Sequence, residues 1–88
     1  MLFVTIYTAS VSTKPKNNKR LIALGLSIKR ARLQKELSQE KLAEKADIHT
    51  SYIGQIERGL RYPSLKVLFK IADALNIKIS ELFSDIND

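Results

Sequence analysis

The chain has no cysteine among its 88 residues and a single histidine, His49. A disulfide framework and a thiolate metal site are therefore excluded, and one imidazole cannot supply the ligand set of a structural zinc site. No apolar run approaches the roughly 18 residues that a membrane-spanning helix needs, so no membrane partner is expected. The first residues are apolar and β-branched (Leu2, Phe3, Val4, Ile6, Tyr7, Val11). They lack the basic start and the small-residue cleavage site of a signal peptide, so the expected location is cytoplasmic. Strand alternation is absent after residue 13, and acidic side chains are absent from residues 14–35.

What is present is positive charge, unevenly placed. Fifteen basic residues face nine acidic ones, for a net charge of +6. Lys14, Lys16, Lys19, Arg20, Lys29, Arg30, Arg32 and Lys35 all lie in the acid-free front. From Leu75 onward Lys78 stands alone against Glu81, Asp85 and Asp88. A basic front with a mildly acidic tail suits a protein that lays one face on a polyanion, although a solvated basic surface would give the same balance.

Length predicts one domain with a modest core, of a size that often gains stability by self-association. Residues 1–18 read as an N-terminal arm followed by a polar, proline-containing basic linker (Lys14-Pro15-Lys16-Asn17-Asn18), and residues 19–88 as the folded domain. Leu21, Leu24, Ile28 and Ala31 recur at helical spacing and predict a first helix to about Lys35. Ser38, with Glu40 at the positive end of the helix dipole, starts a second helix over about 38–46. Asp47-Ile48-His49 breaks the pattern, and a third helix covers about 50–58 before Gly59, a natural left-handed terminator. Pro63-Ser64 opens a fourth helix with apolar Leu65, Leu68, Phe69, Ala72 and Leu75, ended by Asn76. Ser80-Glu81 is expected to cap a fifth helix containing Leu82, Phe83 and Ile86. The fold class is all-α, with five short helices on one core.

Two short helices joined by three residues form the geometry in which one helix braces the next against a DNA groove. Leu42 and Ala43 fall on the inner face of the second helix, Ile48 plugs the turn, and Ile53 and Ile56 anchor the third. Thr50, Ser51, Gly54, Gln55 and Arg58 are left for its outer face, all polar or minimal. Any two amphipathic helices would reproduce part of this pattern, so spacing alone does not decide the function.

The residues themselves go further. Leu37-Ser-Gln-Glu-Lys-Leu-Ala-Glu-Lys-Ala46, Ile48, Tyr52-Ile53 and Ile56-Glu-Arg-Gly59 closely resemble the Cro/CI-type (Xre family) helix-turn-helix domain. Arg61-Tyr-Pro-Ser-Leu65, Leu75-Asn-Ile77 and Ser80-Glu-Leu-Phe83 resemble that family's fourth and fifth helices, so the likeness runs over about residues 21–84. It implies a compact, lambda-repressor-like fold of the kind found in phage repressors and restriction–modification controller proteins. Position by position, it implies that Thr50, Ser51 and Gln55 reach base edges in the major groove, where a glutamine amide can pair with adenine through both its atoms. Gln39 matches a residue that bonds a phosphate and steadies the third helix. Arg58, Arg61 and Tyr62 match backbone-holding positions, with Lys29 and Lys35 as weaker candidates. Arg32 and Glu57 match a partly buried ion pair with a structural role. Four positions depart from the pattern: Glu36 and Asp47 stand where glycine with positive φ is usual, His49 replaces a serine or threonine cap, and Gly54 sits inside the recognition helix.

The resemblance implies a transcriptional regulator that binds double-stranded DNA. The apolar tail (Ile77, Ile79, Leu82, Phe83, Ile86) exceeds what one small core should bury, which predicts a homodimer on a palindromic site. An enzyme is not expected, because Glu40, Glu44, Asp73 and Glu81 are scattered and no nucleophile–base or metal cluster has local logic. No cofactor or small-molecule ligand is expected. The competing function is a protein-interaction module built on the same helices, which predicts an apolar or acidic outer face on the third helix.

Overall fold

The computed structural model describes residues 18–86, which form five α-helices and, among the described residues, no strand. They are α1 (Asn18–Gln34), α2 (Gln39–Ala46), α3 (Thr50–Glu57), α4 (Leu65–Leu75) and α5 (Ile79–Leu82). The arm and most of the linker expected over residues 1–18 lie outside the described residues.

Leu24 and Ile28 of α1, Leu42 and Ala43 of α2, Ile53 and Ile56 of α3, Leu68, Ile71, Ala72 and Leu75 of α4, and Leu82 of α5 close into a single core. Ile48 packs against it from the turn between α2 and α3. Helix α3 lies against both α1 and α2, α4 packs on α2, and α5 fills the remaining side against α4 and α1. Ala43, with no side chain beyond Cβ, suits the crossing of α2 and α3. None of the helices among the described residues is long and apolar enough to cross a membrane.

The ends of α1, α2, α3 and α4 share one device. Each is followed by a residue in the left-handed region: Glu36 (φ 57°), Asp47 (φ 58°), Gly59 (φ 71°) and Asn76 (φ 56°). In each case the next N–H donates five residues back: Leu37 to Arg32, Ile48 to Ala43, Leu60 to Gln55 and Ile77 to Ala72, at 2.9–3.1 Å. This is the Schellman closure, which satisfies the orphan carbonyls of a helix end. Leu37, Ile48 and Ile77 then pack on the core, as the residue after the left-handed position commonly does. Glycine serves at only one of the four sites. A Cβ costs about 1–2 kcal/mol in this conformation, and aspartate and asparagine tolerate it better than glutamate. Glu36→Gly is therefore expected to stabilise the fold by about 0.5–1 kcal/mol, after allowing for glycine's greater freedom in the unfolded chain. Thermal denaturation should show a midpoint raised by a few degrees, with a smaller rise for Asp47→Gly; an unchanged or lowered midpoint for Glu36→Gly would contradict the strain.

Start signals hold at two helices. Ser38 Oγ accepts from the Lys41 N–H at 3.0 Å, and Ser64 Oγ from the Val67 N–H at 3.2 Å. His49 has N-cap backbone geometry but makes no side-chain cap bond. At α5 the expectation needs correction. The cap is Lys78, whose N–H donates to Glu81 Oε2 at 3.1 Å, so Ser80 lies inside the helix and Ile86 beyond it. The glutamate reaches back from the third helical position, and this outweighs the serine's own capping preference. The apolar stripe of α4 is also redistributed: Ile71 is buried, while Leu65 and Phe69 are exposed.

Candidate nucleic-acid interface

Helix α3 has a buried inner side of Ile53 and Ile56 and an outward side carrying Thr50, Ser51, Gln55 and, just past its end, Arg58. Ser51 and Arg58 are exposed, whereas Thr50 and Gln55 are half-buried. Gly54 does not belong to the open face where periodicity put it. It is buried, and a Cβ built there would lie 3.5 Å from Arg58 Nη1 and 3.8 Å from Gln39 Oε1. Two long polar side chains, one from the start of α2 and one from the end of α3, thus converge above its backbone.

What holds α3 in place is a buried polar knot behind that face. Arg32 Nε donates to Glu57 Oε2 at 2.7 Å and Arg32 Nη2 to Glu57 Oε1 at 3.0 Å, a two-point pairing of guanidinium and carboxylate. Arg32 Nη1 donates to the Leu37 carbonyl at 2.7 Å, and Gln39 Nε2 to Glu57 Oε1 at 3.0 Å. The two charged side chains are 8% and 2% exposed. One ion pair therefore ties together α1, the turn after it, the first residue of α2 and the last residue of α3. No buried side-chain polar atom among the described residues lacks a partner. The bonded Glu57 carboxylate raises the Arg32 pKa, against a smaller opposing effect of burial, so the arginine is charged throughout the accessible pH range.

The fit of α3 against α1 depends on Gly25. A Cβ there would stand 2.4 Å from the Ile56 carbonyl oxygen and 2.7 Å from that of Glu57. Sequence reasoning passed over this residue; the signal was a lone glycine between Leu24 and Ile28 in an otherwise regular helical stripe.

Beyond Gly59 the chain doubles back along α3. Arg61 places its guanidinium carbon 4.6 Å from the centre of the Tyr52 ring and donates from Nη1 to Gln55 Oε1 at 3.3 Å. Tyr62 is 52% exposed in the same turn. Gln39 and Arg58 therefore both lie over Gly54 and Arg61 meets Gln55, while Lys29 is exposed on α1 and Lys35 just past its end. The Arg61 contacts had no periodic signature to reveal them, because they depend on how the chain turns after α3.

The comparisons with known proteins agree with this architecture. A helix-turn-helix family model matches residues 28–82, a span holding the whole polar knot and all of α3. Control protein C.BamHI of Bacillus amyloliquefaciens is 45% identical over 67 residues, which cover 75% of this chain and 82% of that protein. The immunity repressor of Bacillus phage phi105 is 39% identical over 64 residues, which cover 73% of this chain and 44% of the repressor. Among solved structures, the restriction–modification controller protein C.AhdI from Aeromonas hydrophila matches with a TM-score of 0.71 at 43% identity, covering 72% of this chain and 96% of that one. The five-helix all-α fold and the resemblance read from the motif residues are both borne out, and the chain belongs to the helix-turn-helix family of the Xre (Cro/CI) type.

Proposed function

We propose that this chain is a sequence-specific double-stranded DNA-binding regulator of transcription that works as a homodimer, each copy laying α3 in the major groove of one half of a palindromic site. The observation that carries this reading is the division of labour on α3. Its inner side is locked by the core and the polar knot, while its outer side offers Thr50, Ser51 and Gln55 with Arg58 and Arg61 at its end. An apolar or acidic outer face, which a protein-interaction module would need, is not what this helix offers. Relatives named as control proteins and as an immunity repressor support the same reading.

In this reading Thr50, Ser51 and Gln55 contact base edges, and Gln39, Arg58, Arg61 and Tyr62 engage the phosphate backbone. Gln39 gives one amide hydrogen to Glu57 and has a second for a phosphate. Arg32 and Glu57 serve the fold. Little of the expected tail is left for a dimer surface. Leu82 is fully buried and Ile77, Ile79 and Ile86 pack on the core, which leaves Phe83, together with Leu65 and Phe69 of α4, as the exposed apolar groups toward that end of the chain. Sedimentation is expected to show a dimer on DNA at micromolar protein, and monomer alone under all conditions would oppose it.

The deciding experiment is selection from random duplexes, followed by titration of the selected duplex and a scrambled one at two salt concentrations. A strong preference for the selected site and a steep fall of affinity with salt are expected. No binding to either duplex would favour the interaction module. Gln55→Ala should relax preference by about 1–3 kcal/mol at one base position. Arg58→Ala should weaken all duplexes alike and lower the salt slope by about one. An equal effect of Gln55→Ala on every duplex would remove it from the readers.

A further inference from the structure

We propose that Arg61 is a positioning residue for base readout: held on the Tyr52 ring and bonded to Gln55, it turns the Gln55 amide so that a donor meets the base, and so selects guanine over adenine at that position. The inference rests on the reading of Gln55 as a base-contacting residue.

A glutamine amide is ambivalent, with a carbonyl oxygen that accepts and a nitrogen that donates. Pairing with adenine uses both, the oxygen taking the adenine amino hydrogen and the nitrogen donating to N7. In this protein the oxygen is already engaged, since Arg61 Nη1 donates to Gln55 Oε1 at 3.3 Å. The assignment of oxygen and nitrogen is settled by chemistry, because a guanidinium has donors only and the atom facing it must be the acceptor. With the oxygen drawn toward Arg61, the amide keeps both Nε2 hydrogens for a base and only one lone pair on the oxygen.

Arg61 is itself held from two sides. Its guanidinium lies over the Tyr52 ring at 4.6 Å, a cation–π geometry. Tyr52 is half-buried against the core and sits three residues before Gln55, so ring and amide are neighbours on α3. The backbone leading to Arg61 is tied to the same residue, for the Leu60 N–H donates to the Gln55 carbonyl at 2.9 Å across the left-handed turn at Gly59. The turn, the ring and the amide thus all bear on the same arginine.

An amide turned to lead with its donor suits guanine, which offers O6 and N7 as adjacent acceptors in the major groove. Adenine offers N7 alone, beside an amino group that would face the same donor; cytosine offers an amino group, and thymine one acceptor only. Whatever Arg61 gives to a phosphate acts on all four bases equally, so the positioning role is read from the differences between duplexes.

The test uses the full chain and four duplexes that differ only at the position whose preference Gln55→Ala abolishes. The unmodified protein is expected to favour guanine over adenine there by about tenfold or more. In Arg61→Ala the preference should shrink to about threefold or reverse, since the amide can turn and accept from adenine. In the Gln55→Ala background, Arg61→Ala should leave the base preference at that position unchanged. Arg61 is exposed, and an unaltered thermal midpoint would show that the fold is intact. A preference for adenine in the unmodified protein, or an Arg61→Ala variant that weakens all four duplexes by one factor, would overturn the proposal. If Gln55→Ala abolishes no preference at any position, the base-reading role fails and the positioning role fails with it.

Discussion

Truncating Arg32 to alanine is expected to destabilise the folded protein by about 3–5 kcal/mol, the loss typical when one partner of a buried ion pair is removed. The Glu57 side chain is 2% exposed and loses both of its guanidinium bonds, while the Leu37 carbonyl loses its side-chain donor. A buried carboxylate left with Gln39 as its remaining side-chain donor carries most of its desolvation cost uncompensated. Small domains have total stabilities of only about 5–15 kcal/mol, so a large part of the margin goes, and urea denaturation should show the midpoint collapse. The contrasting variant replaces both partners with apolar residues of similar volume. Such exchanges are often near neutral or stabilising, so Arg32→Met combined with Glu57→Leu should recover most of the loss. A deficit below about 1 kcal/mol for Arg32→Ala, the level of exposed pairs, would show that the knot is not holding the turn.

Gly25→Ala is the second large effect, and its origin is steric. The new Cβ would fall 2.4 Å from one backbone oxygen of α3 and 2.7 Å from the next. Neither can rotate away as a side chain would, so α1 must withdraw from α3 by about 1 Å to reach the 3.4 Å of ordinary contact. Overpacking of this kind typically costs about 1–3 kcal/mol and sometimes more; the upper end applies here because backbone and not side chain has to yield. The displaced segment is the C-terminal turn of α3, beside Glu57 and Arg58, so DNA affinity of the remaining folded protein should fall as well. Gly54→Ala is the control. There the nearest atoms are the ends of two flexible side chains at 3.5 and 3.8 Å, and alanine's better helix propensity, worth up to about 1 kcal/mol, should leave stability equal or improved. Equal losses for the two variants in calorimetry would refute the account given for Gly25.

These two residues also show where sequence reasoning reached and where it stopped. The Arg32–Glu57 pairing was legible because the family resemblance supplied both partners, although they lie 25 positions apart. Gly25 was not, because a glycine in a helical stripe says nothing about which backbone will cross it. The helix ends were readable wherever a local residue dictates them: Ser38, Ser64, Gly59 and Asn76 each act on backbone groups within a few residues. At α5 two local signals competed, and the reach of Glu81 back to Lys78 won over the hydroxyl of Ser80. Gly54 was placed outside by periodicity, which cannot anticipate that Arg58 and Gln39 fold over it.

The sequence by itself determined the five helices, their order and the inward face of each of the first three, since apolar spacing, caps and left-handed terminators act over a single turn or two. The lack of cysteine and the single histidine excluded disulfide, thiolate-metal and structural zinc scaffolds, and the motif residues identified the helix-turn-helix unit. Only the tertiary structure decided what depends on one segment lying across another. It drew Gln39 into the ion pair, pressed α3 onto the bare backbone of Gly25, turned Phe69 and Leu65 outward, and returned Arg61 to Tyr52 and Gln55. The physical reason is range. A cap or an apolar stripe is satisfied within its own helix, whereas the set of a reading side chain depends on contacts that exist only once the chain has closed on itself.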